Sequence, residues 1–81
     1  MLSLDLTYRA RDFLERLDPK QFRQVVKKIF SLMENPRPAD FRPLHGYPFL
    51  RADIGEYRII YRVEKDCLKV ALVGEIGGHN T

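Results

Sequence analysis

Six apolar residues set between two prolines constrain this chain more than any other feature. Phe22, Val25, Val26, Ile29, Phe30 and Met33 recur at i, i+3, i+4, i+7, i+8 and i+11, which is one stripe of an α-helix. Lys20, Arg23, Gln24, Lys27, Lys28 and Ser31 lie off this stripe. Asp18 is placed to cap this helix, and Pro19 takes its first position, where a missing N–H costs nothing. "ENPRPAD" ends it, because proline lacks the donor and disfavours α geometry in the residue before it. A helix with a single apolar stripe must lay that stripe on a surface supplied by the rest of the chain.

That surface is a sheet. "LSLDLTY" alternates Leu2, Leu4 and Leu6 with Ser3, Asp5 and Thr7, the period-two pattern of a half-buried strand. "RARDFLERL" brings Phe13, Leu14 and Leu17 to helical spacing, with Thr7 or Ser3 near its start. Two helices joined by so short a link form an antiparallel helical hairpin. Beyond the prolines, "YPFLRAD", "EYRIIYRV" and "CLKVALVGEI" read as strands. The turns between them, at Gly55 and at Asp66, are short enough to make them antiparallel neighbours. The expected order is β-α-α-β-β-β. This is an α+β fold in which an N-terminal helical hairpin packs on a small, mainly antiparallel sheet, and residues 1–81 form a single domain.

Several classes of function are excluded. One cysteine, Cys67, rules out a disulfide framework, and with only His45 and His79 beside it neither a structural metal nor a metal cofactor is expected. No organic cofactor is expected either. The N-terminus lacks a basic region followed by an apolar core, so it is not a secretory signal. No apolar run approaches about 18 residues, so no membrane span is expected. A cytoplasmic protein is the expectation.

The charge balance is basic, +3 with a pI near 9.2, and arginine supplies most of the positive charge. Arginine offers a flat fork of donors that fits phosphate oxygens in pairs, whereas lysine offers a point charge. Three arginines lie in "RADIGEYRIIYRV". In its second strand Tyr57, Ile59, Tyr61 and Val63 share one face, and Arg58, Ile60 and Arg62 share the other. If the chain turns at Gly55, Arg51 joins Arg58 on the outer face. Pattern alone leaves two readings open. The arginines either solubilise a wet sheet face or form a site for an anion.

The stretch "LHGYPFLRADIGEYRIIYRVEKDCLKVALVGEI" resembles the sheet of the RelE/ParE superfamily of bacterial toxins. The residues that carry the resemblance are Leu44, Gly46, Tyr47, Arg51, Gly55, Tyr57, Arg58, Ile59, Ile60 and Tyr61. The N-terminal half is similar too, with a short strand and helices that end at Asn35-Pro36. The resemblance implies the same β-α-α-β-β-β fold and a toxin paired with a cognate antitoxin in a hetero-oligomer. Within the superfamily, RelE-like members cut mRNA in the ribosomal A site, and ParE-like members poison DNA gyrase without cutting RNA. The closer likeness is to the RelE-like mRNA interferases, with ribosome and mRNA as partners. A gyrase inhibitor, or a relative that has lost catalysis and only pairs with its antitoxin, are the alternatives.

The site residues implied by the resemblance are carried over position by position. Arg58 matches the arginine that lies at the scissile phosphate in nuclease members, and Arg51 matches a basic position on the preceding strand. His79 stands in the segment where some nuclease members use a histidine, which suits a general acid. Lys27, Lys28, Arg62 and Tyr47 are the candidate RNA contacts. Phe49 departs from the pattern, standing where some nucleases carry lysine, and the family's "Arg…Glu-Val-Tyr" tail is missing. Glu56 and Glu75 are candidate bases.

Overall fold

The computed structural model describes residues 1–77. The elements run β1 (Ser3–Leu6), α1 (Tyr8–Glu15), α2 (Pro19–Glu34), β2 (Arg42–Pro43), β3 (Leu50–Ile54), β4 (Tyr57–Glu64) and β5 (Cys67–Glu75). They build one five-stranded sheet in the order β1-β5-β4-β3-β2. The order expected from sequence holds, with one addition. The two-residue β2 pairs Arg42 with Arg51 and Pro43 with Leu50. Two residues carry no periodicity, and a proline is tolerated in a sheet only at an edge such as this one.

β1 lies parallel to β5, from Ser3 opposite Cys67 to Leu6 opposite Val70, and every other pairing is antiparallel. Thr7 stitches this end together. Its hydroxyl donates to the Ala71 carbonyl at 2.7 Å and accepts from the Ala10 N–H at 3.1 Å, which caps α1. Ala71 is the extra residue of a β-bulge, since Ile60 faces Leu72 while Tyr61 faces Val70. Asp18 precedes α2 with Pro19 at its first turn, but the Asp18 side chain makes no capping hydrogen bond.

The core lies between the helices and one sheet face. Val25, Ile29 and Leu32 of α2 meet Ile59, Tyr61, Leu68, Val70 and Val73, all essentially inaccessible. The stripe is therefore rotated from the one expected. Leu32 is fully buried, whereas Phe22 and Phe30 are exposed and line an apolar groove with Leu4, Leu6, Leu14 and Val26. The sequence stripe is wide enough to cover two surfaces, and only its centre reaches the sheet. Tyr61 crosses the core to donate its phenol to the Pro36 carbonyl. Burial pushes its ionisation up to about 12.

Candidate functional site

The alternation along β4 turns Tyr57, Ile59 and Tyr61 to the helices and leaves Arg58, Ile60 and Arg62 on the opposite face. Residues paired directly across an antiparallel ladder share a face. Arg51 opposite Ile60 and Asp53 opposite Arg58 therefore belong to the same outer face, and Arg42 joins them through its pairing with Arg51. Gly55, at φ +58°, makes the tight turn that sets this register. The result is a shallow depression lined by Asp40, Arg42, Arg51, Asp53 and Arg58.

Charge inside the depression is unevenly matched. Asp53 accepts from Arg58 Nε at 2.9 Å and from Arg58 Nη2 at 3.3 Å, a two-pronged pair. The Arg58 hydrogen bonds, aided by the charges of Arg58, Arg51 and Lys28, hold the Asp53 carboxyl below its ordinary range against the opposing effect of burial. The same pair raises the ionisation of Arg58. Lys28 reaches the rim from α2 and bonds Asp40 at 3.1 Å. Arg42 donates to the carbonyl of Phe41. Among the described residues, neither Arg42 nor Arg51 forms an ion pair. Two guanidinium groups thus make no ion pair of their own beside a third whose fork is filled.

The sequence candidates distribute as follows. Arg51 and Arg58 meet in the depression. Arg62 lies on the same face, bonded to Glu64 at 3.1 Å and placed over the Phe49 ring at 5.9 Å. Phe49 is thus a platform for Arg62. Tyr47 is exposed in the turn before β3. Lys27 lies on the outer side of α2, where it lines a basic trough with Lys20, Arg23 and Lys28. Lys28 is only 16% exposed. His79 lies outside the described residues. Glu75 is the ladder partner of the core-facing Tyr57, whose ionisation is raised by burial first and then by the charges of Glu75 and Glu56. Neither glutamate shares the arginine face. Arg42, Asp53 and Asp40 were not singled out from sequence. The period-two spacing of Arg51 and Asp53 was the available signal for Asp53, whereas β2 left none for Arg42.

A family model described as the ParE toxin of the type II toxin–antitoxin system, parDE, matches residues 4–78. Among curated proteins no sequence matches. Solved structures do. The toxin of the intact E. coli RelBE toxin–antitoxin complex superposes with a TM-score of 0.80 at 27% identity, covering 93% of this chain and 96% of that one. The isolated E. coli RelE toxin gives 0.81 at 26% identity, covering 100% of this chain and 88% of that one. The chromosomal ParDE system of P. aeruginosa gives 0.78 at 16% identity, covering 94% and 97%, a likeness of fold.

Proposed function

From the premise that this chain belongs to the ParE toxin family and is the toxin of a type II toxin–antitoxin module, we propose that it is a ribosome-dependent endoribonuclease. Its substrate is messenger RNA in the ribosomal A site. The observation that carries this reading is the convergence of Arg42, Arg51 and Arg58 on one depression of the outer sheet face. RNA brings its own nucleophile. The 2′-OH attacks the neighbouring phosphorus, the bond to the 5′ oxygen breaks, and a 2′,3′-cyclic phosphate and a 5′-OH result. The protein's task is to align the hydroxyl and neutralise the charge gathering on the phosphorane. Arg58 and Arg51 take the non-bridging oxygens in this reading, and Arg42 adds charge at the rim. His79 is assigned the protonation of the leaving 5′ oxygen. Lys27, Lys28, Arg62 and Tyr47 contact flanking RNA. A cognate antitoxin completes a hetero-oligomer, as RelB does with RelE in the E. coli complex, and carries acidic groups where it meets the arginines.

One observation favours a second reading, inhibition of DNA gyrase without cleavage. Arg58, Arg62, Lys69 and Lys28 are each already occupied by a carboxylate. Among the described residues, the arginine face also holds no histidine and no unpaired lysine.

The deciding experiment adds purified protein to ribosomes paused on a defined message and maps the cuts, with Arg58→Ala, Arg51→Ala and His79→Ala alongside. Ribosome-dependent cuts in the A-site codon, lost with Arg58→Ala, are the expected result. An intact message together with blocked DNA supercoiling would overturn the nuclease in favour of gyrase inhibition.

A further inference from the structure

We propose that Asp53 is a positioning and selectivity residue of the arginine depression. It is a built-in counter-ion that holds the Arg58 fork ready and is displaced from it by a doubly charged phosphate or by the charge that gathers on a phosphorane. The proposal rests on the reading of this depression as a phosphate seat.

Geometry carries it. Asp53 and Arg58 are direct partners across the β3–β4 ladder, so their Cα atoms are fixed close together and both side chains leave the same face. The carboxylate bonds Nε and one terminal nitrogen of Arg58, at 2.9 and 3.3 Å. Those are the two donors a phosphate would grip side-on, so phosphate and Asp53 compete for one edge of one guanidinium. The competitor is also exchangeable. Side-chain exposure is 33% for Arg58 and 46% for Asp53, and an exposed pair of this kind is held only weakly. Arg51 and Arg42 line the same depression without carboxylates of their own. An arriving anion thus meets two open cations before it must take the third.

The consequence is a threshold. A singly charged anion, the ground-state phosphodiester of RNA included, gains little by expelling a carboxylate of equal charge and is met first by Arg51 and Arg42. A phosphate dianion, or the phosphorane of a transition state, gains the arginines' full attraction and repays the displacement. Asp53 keeps Arg58 extended in the meantime, since a free arginine side chain would sample many rotamers.

The test measures inorganic phosphate binding and the Arg58 Nε–H resonance in wild type, Asp53→Asn and Glu64→Gln, all as the full chain. Glu64→Gln removes the same unit of charge from the same face, but from Arg62 and Lys69. Asp53→Asn is expected to bind phosphate about three- to tenfold tighter, a range set by the modest strength of exposed pairs. Glu64→Gln should change affinity by less than about twofold. In wild type, phosphate should move the Arg58 Nε–H resonance toward its position in phosphate-saturated Asp53→Asn. Unchanged or weaker binding in Asp53→Asn, or an equal gain in Glu64→Gln, overturns the proposal while leaving the phosphate seat intact. No phosphate binding by any form overturns both. Phosphate binding that follows the expected order without any message cleavage upholds the Asp53 role and rejects only the nuclease.

Discussion

The phenol of Tyr61, in the middle of the sheet, is hydrogen-bonded to the carbonyl of Pro36, one residue beyond the cap of α2. A core residue on the helical face thereby anchors the segment that leads to Asp40 and β2, and so steadies the rim of the arginine depression from behind. Tyr61→Phe keeps the ring and removes the donor, leaving a carbonyl without its partner. The expected cost is about 1–2 kcal/mol, read as a lower denaturation midpoint with an unchanged slope. Because the folded pKa of Tyr61 lies at about 12, above its ordinary 10.0, its contribution is full below pH 10 and fades as pH rises through 12. Alkaline titration at 295 nm should show a phenol ionising near pH 12 in wild type that is absent from Tyr61→Phe.

The two hairpin turns should respond to substitution in opposite directions. Gly55 sits at φ +58°, and a Cβ there would lie 2.8 Å from Gln24 Nε2. Gly55→Ala should therefore destabilise the fold by roughly 1–2 kcal/mol. Lys65 occupies the same left-handed region, at φ 57°, with a side chain that disfavours it. Lys65→Gly should raise stability by about 0.5–1 kcal/mol. Urea titration of both variants checks the signs. A destabilised Lys65→Gly would show that the flexibility glycine adds to the unfolded chain outweighs the relieved strain.

Acid should weaken the Asp53–Arg58 pair in a predictable window. The folded pKa of Asp53 is depressed below 3.8, chiefly by the Arg58 hydrogen bonds. Its stabilisation is therefore present above about pH 4 and is lost as pH falls through the depressed value. With Asp53 nearly half exposed, screening keeps the contribution below about 1 kcal/mol. Wild type should exceed Asp53→Asn in stability at pH 6, and the two should converge near pH 2. A constant gap across that range would locate the effect elsewhere.

The two faces of the sheet differ in what they tolerate. Ile59 is fully buried beneath the helices, and Leu72 is 40% exposed on the opposite face. Ile59→Ala should cost about 2–5 kcal/mol through lost burial and a residual cavity. A chain this small has a total stability on the order of 4–12 kcal/mol, so this single change could unfold it at 37 °C. Leu72→Ala should cost under about 1 kcal/mol. Thermal melts of the two variants separate the faces.

Much of this architecture was readable from residue patterns, for reasons that also explain the gaps. Alternation in β4 assigned Tyr57, Ile59 and Tyr61 to the core and Arg58 and Arg62 to the far face, because side chains on a strand have only two directions to take. Gly55 fixed the hairpin, and with it the company of Arg51. The helical stripe was harder to place. Phe22 and Phe30 match the helical period as well as Val25 and Ile29 do, yet nothing local says which part of a wide apolar arc meets the sheet. β2 was invisible because two residues have no period. The Asp53–Arg58 pair was hidden for another reason. A carboxylate written among arginines reads as solvated charge until a register shows which guanidinium it faces.

The parallel pairing of β1 with β5 also governs how the molecule comes into being. Every contact in that ladder joins residues more than sixty positions apart, so the loop it closes is almost the whole chain, and such topologies fold slowly for their size. During synthesis Leu2, Leu4 and Leu6 emerge well before β5 and wait, their apolar faces uncovered, until Val70 has been released. A partly made chain can form its helical hairpin but lacks the strand that completes the sheet. The toxin's native sheet is therefore assembled only after β5 has been made, and any partner that recognises the finished sheet meets it only then.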